Sequence, residues 1–355
     1  MSSAKRPARP SVAASVHARV VDVAHAAGVS TATVDRVLNR RAGVREVTRQ
    51  RVLKAASHLD YLPDAALFAA AQPAPLRITF LLPGGTNHYL RMLGDYIDFA
   101  GHDVTPYNVR CRAVFVESFN PAALAAALKR HARTADGIAF MALEHPEVAE
   151  AATWLAARGL PLVTLISDLA HPGRAAYVGI DNRAAGRTAG YLLARFIGRE
   201  RGRVALVAGS RSYRGHEERE MGFHAVMEEL RPQFKVVDLR EGQDDVETNY
   251  AQARALLRQH PELDGIYNIG GAPEGIARAL KEAGRAGRTV FVGHGLTPET
   301  RALLIDGTMD AVITQHPGAV VTACAKIFAN LRARRPALTG VEPVRMSIIL
   351  RENLP

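Results

Sequence analysis

The sequence predicts an α/β protein: a small all-α head followed by a larger body of doubly wound parallel sheets. Two observations carry this. Residues 20–63 show helical periodicity and no strand pattern. From Leu76 onward, short β-rich runs alternate with helical ones, as in "LRITFLL" before "LRMLGDYIDFA", "RVALVAG" before "GFHAVMEEL" and "DGIYNIG" before "GIARALKEAG". Such alternation is the mark of βαβ units and parallel sheets. Residues 76–355 are many for one such sheet, so two lobes are expected.

In the head, Val20, Val23, Ala24 and Ala27 recur at i, i+3, i+4 and i+7, one buried helical face. Gly28 can supply a left-handed turn that ends this helix, and Ser30 can cap a second with Val34, Val37 and Leu38 inward. Thr48 is placed to cap a third helix, with Val52, Ala55, Ala56 and Leu59 inward. Pro63 then acts as a stop. Two short helices around a glycine turn, with a third behind, form a helix-turn-helix pattern. Residues 1–18 read as a disordered basic tail, 19–63 as the helical head, 64–75 as an Ala-rich linker that can become helical, and 76–355 as the body.

Charge separates the readings of the head. The chain of 355 residues carries +10, and residues 1–64 hold eleven Lys/Arg against five Asp/Glu. A basic head on a nearly balanced body points to a polyanion, and nucleic acid is the natural one. On the second helix Thr31, Ala32, Asp35, Arg36 and Asn39 face outward, with Arg40 and Arg41 just past its end. Arg36 suits the bidentate contact to guanine O6 and N7. Ser30, Thr31, Thr33 and Asn39 can bond phosphates or base edges, and Arg40, Arg41, Arg45 and Arg49 can neutralise phosphates. The plainer alternative is a helical hairpin with a solvated charged face.

Other classes find little support. Cys111 and Cys324 lie far apart without Cys-x-x-Cys spacing, which argues against a disulfide framework or zinc ribbon and fits a reducing cytosol. No apolar run approaches the roughly 20 residues of a membrane span, and no apolar segment follows the first basic residues, so a cytoplasmic protein is expected. "GHEERE" is not H-E-x-x-H, "VAGSRSYRG" lacks the G-x-S-x-G elbow, and there is no G-x-x-x-x-G-K-[ST] loop; neither an enzyme, a metal nor a cofactor is expected. The Gly-rich "IGGAPEG" could cradle a phosphate at a helix N-terminus.

The stretch "VDVAHAAGVSTATVDRVLN", followed by "VTRQRVLKAASHLDYLPD", resembles the DNA-binding segment of the lactose/purine repressor family. The resemblance implies that Thr31, Ala32 and Arg36 read bases while Ser30, Thr33 and Asn39 hold the backbone. Asp35 stands where the family usually has Ser, and Ala32 offers only methyl contact. In the family a hinge helix wedges a Leu into the minor groove. The matching position here is Ala70, a poor wedge, with Leu67 or Phe68 as substitutes only in another register.

The body resembles, more loosely, the type I periplasmic-binding-protein-like effector domain of that family, with crossovers between lobes near 181, 313 and 340. The resemblance implies a sugar site from "ITFLLPGGTNHYL" (Asn87, His88, Tyr89), "VTLISD" (Ser167, Asp168), "VGIDN" (Asp181, Asn182), "GHEEREMGF" (Arg219), "YNIGG" (Asn268), "VGHG" (His294) and "TQHP" (Gln315). A ring of planar donors and acceptors with Tyr89 as the aromatic face suits a sugar or polyol. Gly270 and Gly271 replace the usual Asn-Asp, and Gly295 a usual Asp. These glycines leave room or let the backbone approach the ligand, and Asn268 and His294 would take over the polar role. The expected protein is a repressor of a carbohydrate or polyol operon. As a homodimer, or as a tetramer, it would sit on a near-palindromic double-stranded operator until an allosteric, sugar-like effector releases it. The alternative is the solute-binding receptor of a sugar transport system.

Overall fold

A computed structural model describes residues 18–41, 43–61, 74–100 and 107–355. The tail expected over 1–18, save Ala18, and the linker expected over 64–75, save Ala74 and Pro75, lie outside the described residues, as do Leu67, Phe68 and Ala70. The chain divides into two compact units, Met1–Pro75 and Leu76–Pro355.

The first unit holds α1 (Val20–Ala27), α2 (Thr31–Leu38) and α3 (Glu46–His58). Their small aliphatic faces meet in one core, with Val23, Val34, Val52 and Ala56 fully buried. Gly28 ends α1 at φ 61°, a left-handed turn that costs a glycine nothing. Ser30 caps α2, its Oγ accepting from the Thr33 amide at 3.2 Å. One expectation fails: Thr48 is not the cap of α3. The helix starts earlier, with Arg45 at the capping position, so Thr48 lies inside the first turn. Glu46 occupies the first helical position, where a carboxylate complements the helix dipole, and Arg49 and Gln50 donate to it at 2.9 and 2.8 Å.

The second unit is built on two sheets. The first lobe runs β1 (Leu76–Pro83), α4 (His88–Ala100), β2 (Val109–Val116), α5 (Pro121–His131), β3 (Gly137–Phe140), α6 (Pro146–Ala156), β4 (Leu162–Leu165) and β5 (Ala176–Val178). Its sheet has the order β2-β1-β3-β4-β5, all parallel. The second lobe runs α7 (Asn182–Phe196), β6 (Arg203–Ala208), α8 (Arg214–Leu230), β7 (Lys235–Glu241), α9 (Val246–Gln259), β8 (Gly265–Asn268), α10 (Pro273–Glu282), β9 (Val290–His294), α11 (Pro298–Ile305) and β10 (Ala311–Thr314). The helix α12 (Pro317–Arg332) and the strand β11 (Ser347–Ile349) follow. The second sheet has the order β11-β10-β9-β8-β6-β7.

The inner strands β1, β3, β4, β6, β8, β9 and β10 are buried over most of their length, as parallel strands covered on both faces must be, while the parallel edge strands β2 and β7 carry Arg110, Arg112, Asp238 and Arg240. The exception is β11, which pairs antiparallel with β10. It is reached through the long coil 333–346 rather than a helical crossover, so nothing obliges it to run parallel. The chain crosses between lobes three times: after β5, after β10 and along 333–346. Although α12 follows a strand of the second sheet, Val320, Cys324, Ile327 and Phe328 pack into the first lobe's core with Ile78 and Phe80. Cys111 and Cys324 are both buried free thiols.

The helices α7 and α8 touch backbone to backbone. A Cβ on Gly186 would stand 1.9 Å from the Arg219 carbonyl oxygen, and one on Gly222 would stand 2.0 Å from that of Arg183. Glycine inside a helix ordinarily costs about 1 kcal/mol against alanine. Here the contact reverses the sign. Gly186→Ala should destabilise the second lobe by about 1–3 kcal/mol, measured as a lowered midpoint in thermal unfolding followed by circular dichroism.

Candidate functional sites: a reading helix and an inter-lobe cleft

On the first unit, α2 carries its polar edge outward. Ser30, Thr31, Ala32, Arg36 and Asn39 are exposed, while Thr33, Asp35 and Arg40 are half-buried. Ser30 serves the helix, its hydroxyl 2.9 Å from that of Thr33 as well as capping the Thr33 amide. Thr31, Ala32 and Arg36 form one open strip on the first two turns. Asp35 is neutralised from within: Asn39 Nδ2 donates to it at 2.7 Å and Arg41 Nη1 lies 3.0 Å away. The carboxylate therefore holds two groups expected to meet phosphate. Arg40 follows the helix at φ 54°, with its amide on the Val37 carbonyl. Arg49, expected to neutralise phosphate, is engaged by Glu46.

In the second unit the strand ends of both sheets face one another across a cleft. Its inner cavity, about 50 Å³, is lined by Asn87, Tyr89, Ser167, His216, Arg219, Asp244, Gly271, His294 and Gln315 among others. An outer vestibule of about 560 Å³ adjoins it and shares Asn87, Leu90 and Asp244 with it.

Arg219, on α8, is 7% exposed. Its Nε donates to Asn182 Oδ1 at 2.8 Å and its Nη1 to the Ile269 carbonyl at 2.7 Å. Asn182 is held in turn, donating to the Ile166 carbonyl and lying 3.1 Å from the Tyr177 hydroxyl. A buried guanidinium is tolerable only when its donors are satisfied in this way. Burial holds the pKa of His216 down at about 4, and that of His294 well below the imidazole range, so both rings are neutral. Burial pushes the Tyr89 phenol far up, which keeps it a donor, and it reaches the Gln315 carbonyl at 3.2 Å.

Several residues expected at the sugar site lie elsewhere, each for a local reason. His88 starts α4 and turns outward, its Nδ1 2.7 Å from Glu299 Oε1. Asp168 is consumed by Arg174 at 2.6 Å and by the Thr164 hydroxyl and the Leu169 amide. Asp181 is exposed and caps α7 through the Ala184 amide at 2.9 Å. Asn182 stands behind Arg219 rather than on the cavity wall. Asn268 is buried, donates to the Gly271 carbonyl at 3.0 Å, and does not line the cavity. Of the expected set, Asn87, Tyr89, Ser167, Arg219, His294 and Gln315 meet at the cavity.

Sequence reasoning missed Asp244. It sits in the loop after β7 and is 8% exposed. Oδ1 accepts from the Gly271 amide at 2.6 Å and Oδ2 from Asn87 Nδ2 at 3.0 Å, while its carbonyl accepts from the Thr86 hydroxyl at 2.9 Å. Thr86 and Asn87 belong to the other lobe, so Asp244 clasps the cleft. In "IGGAPEG", the suggested phosphate cradle, the Gly271 amide already serves a carboxylate. The glycines have a further use. Cβ atoms on Gly271 and Gly295 would stand 2.4 Å from Asn87 Nδ2 and 3.0 Å from Tyr89 Cβ, so these glycines let the first lobe close onto the second.

Two units of such different design, a capped helix with an exposed polar edge and a two-lobed cleft, lie in one chain. Residues 20–64 match the bacterial regulatory proteins of the lacI family, and residues 82–334 match the periplasmic binding protein domain. The chain belongs to the periplasmic binding protein domain family, and its first unit carries a lacI-family helix-turn-helix region. It is 39% identical over 79 residues to catabolite control protein A of Streptococcus mutans, covering 22% of this chain and 24% of that protein. It is 30% identical over 142 residues to a D-ribose/D-allose-binding protein of Pseudomonas aeruginosa, covering 39% and 43%. The chain thus spans less than half the length of these curated relatives. Among solved structures, a glucose-galactose binding protein from Geobacillus stearothermophilus superposes with a TM-score of 0.70 at 24% identity, covering 80% of this chain and 100% of that one. Among the described residues no helix is long and apolar enough to cross a membrane.

The Asp35 clasp makes a prediction. Asp35→Ser frees Asn39 and Arg41 for phosphates. Binding to double-stranded DNA should tighten, and the slope of log affinity against log salt should steepen by about one unit. Fluorescence anisotropy across a salt series measures both.

Proposed function

We propose that this protein is a cytoplasmic, sequence-specific repressor of a carbohydrate or polyol operon, released from its operator by a small sugar-like effector. The observation that carries this reading is Arg219, a buried guanidinium at the wall of a two-lobed cleft, in a chain that also presents Arg36 on an exposed helix edge. Thr31, Ala32 and Arg36 supply base contacts. Ser30, Thr33 and Arg40 supply the DNA backbone contacts, and Asp35 restrains Asn39 and Arg41 beside them. A two-fold dimer places two such helices on a near-palindromic site.

In the cleft, Asn87, Tyr89, Arg219, His294 and Gln315 contact the effector, with Asn182 fixing Arg219 from behind. A cavity of about 50 Å³ is smaller than the roughly 150 Å³ that admits benzene. A sugar ring therefore enters only as the lobes part and settles on a changed angle between them. Effector acts through its differential affinity for the two lobe angles, and the linkers then leave operator spacing. The relatives named for D-ribose and D-allose make aldoses the first effectors to try. The transport-receptor reading leaves residues 20–64 without a role.

Arg219→Ala should leave operator affinity within about twofold while abolishing release by the effector. Arg36→Ala should lose about 1–3 kcal/mol of operator-specific binding with little change on random DNA. Footprinting with and without aldoses reads both. Normal release by the Arg219 variant would refute the cleft assignment, and an unchanged footprint would remove Arg36 from the reading role.

A further inference from the structure

We propose that Asp244 is the specificity-determining group of the cleft, a carboxylate that accepts neighbouring hydroxyls of an uncharged sugar and bars that sugar's phosphate ester. The inference rests on reading the cleft as a sugar site, and four observations carry it.

The first is backbone conformation. Gln243 and Asp244 both lie in the left-handed region, at φ 53° and 51°. Two successive non-glycine residues rarely do so, and such strain persists only where the surroundings impose it. The turn aims the Asp244 side chain inward, between the vestibule and the inner cavity.

The second is space. A Cβ on Gly209 would stand 2.3 Å from Asp244 Oδ1, and one on Gly270 would stand 2.2 Å from it. Two glycines on separate strand ends, after β6 and after β8, leave room for this one carboxylate.

The third is unused bonding capacity. A carboxylate offers about four acceptor positions. The protein fills one on each oxygen, through the Gly271 amide and Asn87 Nδ2. The remainder can accept hydroxyl protons from a ligand. Asn87 comes from the opposite lobe, so a ligand hydroxyl that takes its place on Oδ2 also undoes a bond that holds the lobes together.

The fourth is charge. Arg219 and Asp244 are the charged side chains on the cavity wall, and His216 and His294 are neutral. One positive and one negative group match a neutral polyol. A phosphate dianion drawn to Arg219 would stand against a desolvated carboxylate, and unlike water the protein interior screens that repulsion poorly. In the Gly-rich loop, the Gly271 amide is already taken by Asp244.

The experiment is calorimetric titration of the full chain with free aldopentoses and aldohexoses, D-ribose and D-allose among them, and with their monophosphates. Wild-type protein should bind a free sugar at least tenfold more tightly than its phosphate ester. Asp244→Asn, which keeps the shape and removes the charge, should weaken the free sugar by about tenfold or more and narrow the gap to the phosphate. Gly209→Ala, which displaces the carboxylate without removing it, should also weaken the free sugar. Thermal unfolding of each variant checks that the fold is kept. A phosphate ester that binds wild type as well as the free sugar overturns the proposal. So does a free sugar whose binding needs Arg219 but is unchanged in Asp244→Asn, and in that case the sugar site itself stands. If no sugar or phosphate binds, the sugar-site reading fails and the proposal with it.

Discussion

The second unit depends on how a guanidinium is kept in its interior. Arg219 stands where α7 and α8 cross so closely that Gly186 lies directly against its carbonyl oxygen. That approach sets the position of the Arg219 main chain. Asn182, the first residue of α7, then meets the side chain from the neighbouring helix, and the Ile269 carbonyl meets it from the end of β8. Three elements of one lobe thus converge on one cation. Through Asn182 and the Ile166 carbonyl, the other lobe is joined to the same network. A displaced helix would strand a buried charge, so the position of α8 and the chemistry of the cleft are a single constraint.

Beside the apolar packing of Tyr213 on Phe119, the contacts across the cleft include polar ones: Asn87 and Thr86 on Asp244, Tyr89 on Gln315, Gly215 on Ser167 and His88 on Glu299. Contacts of this kind contribute about 0.5–1.5 kcal/mol each. A ligand that supplies equivalent bonds can replace them at little net cost. On the proposed function, such balance lets a small effector shift the angle between two lobes, each with its own core. Asp244 is central because it belongs to both the inter-lobe contact and the cavity wall.

What was legible in the sequence follows the range of the forces. The turn at Gly28 and the cap at Ser30 are decided by neighbouring residues, and both could be read directly. The cap expected at Thr48 could not, because Glu46 with Arg49 makes an equally good first turn three residues earlier. Strand and helix order in the body was plain from periodicity. The antiparallel β11 was not, since its direction depends on a coil. At the cleft, the motif position of Arg219 was informative. The carboxylates of Asp168 and Asp181 were misleading, because a nearby arginine and a helix end claim them first. Asp244 carried no local signal: its place depends on a strained turn and on two glycines distant in the chain.

On the proposed function, the coupling between head and body is reciprocal by thermodynamic necessity. The most direct measurement is the sugar's dissociation constant by calorimetry, once with free protein and once with protein saturated by a DNA duplex it has selected from a random pool. A regulator released by its effector must bind the sugar more weakly on DNA, by the same factor by which the sugar loosens the DNA. Identical constants in the two titrations would contradict the coupling of cleft to reading helix.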